Sequence, residues 1–186
     1  MELLIAGLVI FFAIHLVPTI AGFRTTLIAK LSAKGYKGLF AAVALIGLVL
    51  IVIGKGQAPF EVLYNPPAWG RHLTMLLVLI AFILFPAAHM KTNIKRVTRH
   101  PMLWGIAAWS VGHLLANGDK ASVLLFGSFL VYSFFSMFSS TMRGAKKQTT
   151  KWPVKKDIVV FVAGLTVYIV FLFLHPYLFG YAVIPR

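Results

Sequence analysis

The sequence predicts an all-α integral membrane protein, a bundle of six transmembrane helices, and three observations predict it. The 186-residue chain is 60% apolar and holds only four acids, Glu2, Glu61, Asp119 and Asp157, far from the composition of soluble globular domains. Its apolar residues form six runs, 3–22, 39–54, 72–90, 101–116, 121–140 and 158–179, long enough to cross or nearly cross a hydrocarbon core about 30 Å thick. All eighteen Lys and Arg fall outside those runs. Backbone groups in lipid must be satisfied internally, so each run is expected to be a helix.

The first run follows no basic segment and precedes no clean small-x-small cleavage site, so it reads as a retained span. Connection one carries Arg24, Lys30, Lys34 and Lys37. Leu27, Ile28 and Leu31 can share one side of a helix there, with Lys30, Lys34 and Lys37 on another. That pattern fits an interfacial helix on an anionic inner leaflet or an ordinary basic loop. Runs two and four are short for a span, which predicts bilayer thinning, small tilt or helices that continue into the interface. Between runs two and three, residues 55–71 form the largest outer connection, with Pro59, Asn65-Pro66-Pro67 and a Trp69 suited to the membrane interface. Pro101 suits the first position of helix four. No repeat, low-complexity tract or linker divides residues 1–186, which read as one domain.

Lys and Arg number four in connection one, four in connection three (Lys91, Lys95, Arg96, Arg99) and six in connection five (Arg143, Lys146, Lys147, Lys151, Lys155, Lys156). The opposite side holds Lys55, Arg71, Lys120 and Arg186. The asymmetry puts connections one, three and five in the cytoplasm, against the anionic inner leaflet, and both termini outside.

The net charge of +14 does not point to nucleic acid, because no module-sized soluble surface exists to carry it. Without cysteine there is no disulfide, thiolate metal site or cysteine nucleophile. Paired carboxylates, a nucleophile-base couple and a phosphate loop are likewise missing from the sequence.

The chemistry that remains is imidazole. His89 and His100 fall at the expected cytoplasmic edge, and His72 and His175 at the outer edge. His15 lies nine residues before Arg24, about 13 Å into its run, and His113 thirteen residues after His100, about 20 Å into its own. An intramembrane histidine is a functional-site candidate. One reading satisfies each neutral imidazole locally: Trp109, Ser110 and Asn117 flank His113, and Pro18 frees the carbonyl of Ile14 beside His15. The other has both ligate one metal. Two imidazoles suit zinc, copper or iron, but a closed four-ligand zinc site is hard to assemble without Cys or an intramembrane carboxylate. Haem needs only two axial ligands, and Phe11, Phe12, Trp104, Trp109 and Phe134 offer an aromatic slot for a macrocycle.

Several segments carry a family likeness: His15-Leu16-Val17-Pro18 with Arg24, Arg99-His100-Pro101-Met102-Leu103-Trp104-Gly105, Trp109, His113-Leu114-Leu115-Ala116-Asn117-Gly118-Asp119, and Leu125-Phe126-Gly127. Over nearly its whole length the chain resembles the NnrU family, named for genes accompanying nitrite and nitric oxide reduction and related to the 15-cis-zeta-carotene isomerases. Those isomerases hold haem b between a histidine of an early span and one thirteen residues after the Arg-His-Pro histidine, positions that match His15 and His113. The resemblance therefore implies His15 and His113 as iron ligands, with Trp109, Ser110, Arg99 and His100 as further cofactor-site residues. Ser110 stands where the isomerases carry a cysteine implicated in redox-linked ligand exchange. Arg99-His100-Pro101 with Gly105 is also similar to an element of membrane methyltransferases that holds S-adenosylmethionine, but those enzymes add a glutamate-rich element and here the only acid after Asp119 is Asp157.

The implied function is a haem b protein of the bacterial inner membrane, linked to nitrite and nitric oxide respiration or to isomerase-like redox chemistry. Its partner would be a respiratory reductase or a small hydrophobic substrate. The alternatives are a membrane methyltransferase and a non-catalytic assembly or transport factor. The topology has a direct test: a reporter fused at Gln148 is expected to score cytoplasmic and one after Arg186 to score outside. A cytoplasmic C-terminus would overturn the six-span orientation.

Overall fold

A computed structural model describes residues 1–183, so Arg186 lies outside the described residues. Among these, seven α-helices follow one another: α1 (Glu2–Leu16), α2 (Ala21–Gln57), α3 (Gly70–His89), α4 (Ile94–Val97), α5 (Pro101–Ala116), α6 (Lys120–Met142) and α7 (Val154–Phe179). The one extended pairing among them is an isolated bridge between Val62 and Asp119. α1 with the turn after it, α2, α3, α6 and α7 are long and apolar enough to cross a membrane. The 16-residue α5 is shorter, about 24 Å at the helical rise, and completes the six expected apolar helices. Large apolar side chains stay on the outside, Val131 at 70% exposure and Phe138 at 67% among them. Water would penalise that surface, whereas lipid solvates it.

Two boundaries differ from the apolar runs. The first helix ends at Leu16 rather than Gly22, and Val17–Thr19 continue as a 3₁₀ turn. Pro18 lacks the N–H that would continue the α-helix, and the Ile14 carbonyl it leaves is taken by the N–H of Val17. Connection one is helical: residues 21–31 run into α2 through a sharp break at Ser32, φ 65° and ψ 165°. The short second run is thereby extended at both ends.

The chain forms two compact units. The first comprises residues 1–64 and 118–128, and is built on α1 against α2. A Cβ added at Gly7 would lie 2.6 Å from Ile51 N, and one at Gly47 2.8 Å from Phe11 N, while Gly54 abuts Leu4. As one residue number rises the other falls, so the helices are antiparallel, and glycine lets their backbones nearly touch. In the same unit the outer connection is tied to the start of α6, with Leu63 N–H donating to Gly118 O (2.8 Å) and Lys120 N–H to Glu61 O (2.8 Å).

The second unit comprises residues 65–117 and 129–183, the latter as far as described. Within it α3 packs antiparallel on α5, with Gly112 against Thr74 and Leu77 and Gly105 against Ala81 and Phe85. Thr74 Oγ1 is 2.8 Å from Gly70 O and 2.6 Å from Gly112 O. α7 meets α3 at Gly164, beside Phe82 and Ile83. Asp157, in the first turn of α7, accepts from Thr92 Oγ1 (2.6 Å), Asn93 N–H (2.7 Å) and Asn93 Nδ2 (2.7 Å). This clasp gathers the basic connections three and five at one end of the unit.

The helix contacts set a stability contrast. Gly47→Ala drives a methyl into the α1 backbone and is expected to cost about 1–3 kcal/mol. Gly38→Ala, with nothing within 4 Å of the new methyl, should stabilise the helix by up to about 1 kcal/mol. Unfolding of both variants in detergent micelles checks the difference.

Candidate functional site

In the first unit His15 occupies the last turn of α1, not the middle of an unbroken span. Its Nδ1 lies 2.6 Å from the carbonyl oxygen of Phe11, four residues back. A carbonyl only accepts, so the proton is on Nδ1 and the ring lone pair on Nε2. The imidazole takes the Phe11 carbonyl rather than the Ile14 carbonyl that Pro18 leaves. Phe11 stacks on the ring at 4.0 Å between centroids and Phe40 meets it edge-on at 5.0 Å. Tyr36 lies beyond Phe40 at 6.3 Å. On the same helix Ile5, Leu8, Val9 and Phe12 line an apolar groove with Leu124 and Ser128.

In the second unit His113 repeats the arrangement in the last turn of α5, its Nδ1 2.8 Å from Trp109 O. The same argument puts its proton on Nδ1. Trp109 tilts over the imidazole at 5.0 Å and meets Phe129 edge-on at 5.6 Å. The Asn117 side chain donates to the His113 carbonyl at 2.9 Å, closing the helix end. Ser110 is fully buried and its hydroxyl has no hydrogen-bond partner among the described residues. Trp104 and Phe134 meet edge-on at 6.1 Å but are 46% and 50% exposed, so they form exterior surface more than pocket wall.

Trp109, Ser110 and His113 are thus gathered on little more than one turn. Arg99 and His100 are not among them: His100 lies thirteen residues before His113, about 20 Å along the axis. There His100 Nε2 is 3.2 Å from Thr141 Oγ1. Partial burial and then the neighbouring Arg99 charge hold its imidazole below the ordinary histidine value. Gly105, one turn into α5, packs against the Phe85 ring and the Ala81 carbonyl of α3. Among the described residues no three His, Asp or Glu side chains gather as a ligand set.

Gly118 and Asp119 belong to the first unit. Asp119 Oδ1 accepts from Ser122 N–H (3.0 Å), capping α6, and from Lys55 Nζ (3.0 Å) in the first unit. Burial alone would raise its carboxyl, but the bonds from Ser122 and Lys55 outweigh it and hold the group below the usual carboxylate value. An acid three residues ahead of a serine at a helix start signals this cap in the sequence. Nothing in the sequence signals the pairing with Lys55.

The family model described as NnrU protein matches residues 3–183. No curated protein and no solved structure matches the chain.

Asp119→Ala removes the cap and the ion pair and is expected to cost about 1–2 kcal/mol, and Asp119→Asn, which can still cap, less. Because the folded carboxyl titrates below its unfolded value, this stability is present above the unfolded value and is lost as pH falls through the folded one. Thermal unfolding in detergent from pH 7 down to pH 3 should show the gap between wild type and Asp119→Asn closing. A gap unchanged by acid would contradict the assignment.

Proposed function

This chain belongs to the NnrU family, and on that premise we propose that it is a haem b protein of the bacterial inner membrane, with His15 and His113 as axial ligands. Both termini are taken to face the periplasm, and the basic connections the cytoplasm. The observation that carries the proposal is the shared state of the two imidazoles. Each donates Nδ1–H to the carbonyl four residues earlier on its own helix, the outer-shell bond that fixes the tautomer of metal-bound histidines and makes Nε2 a better donor. The neutral donor set fits haem, whose porphyrin supplies the other four ligands. Phe11 and Phe40 flank the His15 imidazole and Trp109 lies against that of His113, which restricts the rotation of both rings.

When bound, haem b with two imidazoles supplies one-electron transfer. We assign electron transfer in support of nitrite and nitric oxide respiration ahead of isomerisation. Ser110 offers a neutral hydroxyl where the isomerases offer a thiolate, and a hydroxyl is a far weaker iron ligand. A respiratory reductase is the corresponding partner.

The test is the haem content and spectrum of the purified protein. The expected result is a low-spin bis-imidazole haem b, with His15→Ala and His113→Ala each losing most of it by pyridine haemochrome assay, whereas His72→Ala keeps it. Normal haem and spectra in both ligand variants would refute the assignment. Saturable S-adenosylmethionine binding by haem-free protein would favour methyl transfer at Arg99 and His100 instead.

A further inference from the structure

Tyr36 is 7% exposed and its hydroxyl, buried, has no hydrogen-bond partner among the described residues. An unpaired buried phenol costs stability that phenylalanine would not. Its surroundings point to what the hydroxyl meets. Tyr36 packs beside Phe40, and Phe40 packs against His15, so the phenol lies two ring contacts from the imidazole. Ser32 breaks the helix one turn earlier with a backbone conformation that non-glycine residues rarely adopt. The Ser32 hydroxyl then accepts Gly35 N–H at 3.2 Å, which restarts the helix with Tyr36 in its first turn. A helix start carries partial positive charge. Arg24, Lys30, Lys34 and Lys37 add full charges, and no acid occurs between Glu2 and Glu61. A buried donor in so electropositive a segment suits an anion. Its burial sets it apart from a side chain that only touches headgroups.

We infer that the Tyr36 hydroxyl donates a hydrogen bond to a carboxylate on the group that His15 binds, which for haem b is a propionate. The inference rests on the haem reading and adds to it a residue that holds the cofactor without touching the iron.

Tyr36→Phe keeps the ring and removes only the hydroxyl. Haem-free full-length protein in detergent is titrated with haem b and with its dimethyl ester, whose carboxylates are masked. The variant is expected to bind haem b about 10–100-fold more weakly, the worth of a hydrogen bond to a charged group. It should bind the diester within about twofold of wild type, as expected when the two changes remove one shared interaction. Its haem-free form should melt at the same temperature as wild type or higher. Equal losses for both porphyrins, unchanged haem affinity or a lower melting temperature of the haem-free variant would each overturn the inference. Wild-type protein that takes up neither porphyrin would overturn the haem reading itself, and this inference with it.

Discussion

In lipid a polar group finds its partner inside the protein or goes without, and the helix backbone is the acceptor this chain uses most. Thr74 reaches carbonyls of α3 and α5, and Ser133 reaches Phe129 O at 2.8 Å. His15 and His113 each reach back one turn. For a hydroxyl this merely hides a donor. For imidazole it also selects a tautomer, so the same requirement leaves the proton of both histidines on Nδ1. Two carboxylates at helix ends, the buried Asp119 and the partly exposed Asp157, are likewise surrounded by donors.

Glycine seams then decide what each histidine meets. In the first unit the close approach at Gly7, Gly47 and Gly54 fixes the antiparallel register of α1 and α2, and that register delivers Phe40 and then Tyr36 to the His15 end. In the second unit Gly105 and Gly112 seat α5 on α3. The packed edge of α5 is thereby used up by helix contact. Gly105 therefore works as a contact residue, which weakens the likeness to methyltransferases that the Arg99-His100-Pro101 element suggests.

Much of this was legible in the sequence because it depends on local composition. Hydropathy marked the six apolar helices, and Pro101 marked the start of α5. The helix ends were less legible. Run one remains apolar to Gly22, so hydropathy passed over the turn that Pro18 imposes, and the depth assigned to His15 assumed an unbroken helix to Arg24, whereas α1 stops at Leu16. Ser32 carries no Gly or Pro turn signature, so the break there left no mark in the sequence. The histidines stood out because imidazole is rare in an apolar run. Tyr36 did not, since tyrosine is ordinary near an interface, and only its burial and missing partner distinguish it.

Both candidate ligands occupy the last turn of their helices. At a helix C-terminus the unpaired carbonyls carry partial negative charge, which favours a cation nearby, and low dielectric strengthens the effect. In the proposed haem protein, ferric iron held by two neutral imidazoles would carry one net positive charge, and ligands on two C-terminal turns would favour the oxidised form over the reduced one. Cations near Tyr36 and the proposed bond to a propionate would act in the opposite sense. They would neutralise the carboxylate that otherwise stabilises ferric iron. On the proposed haem assignment, the potential would be set by a balance between carbonyl ends and basic segment, so substitutions in the basic segment would shift it without touching either histidine.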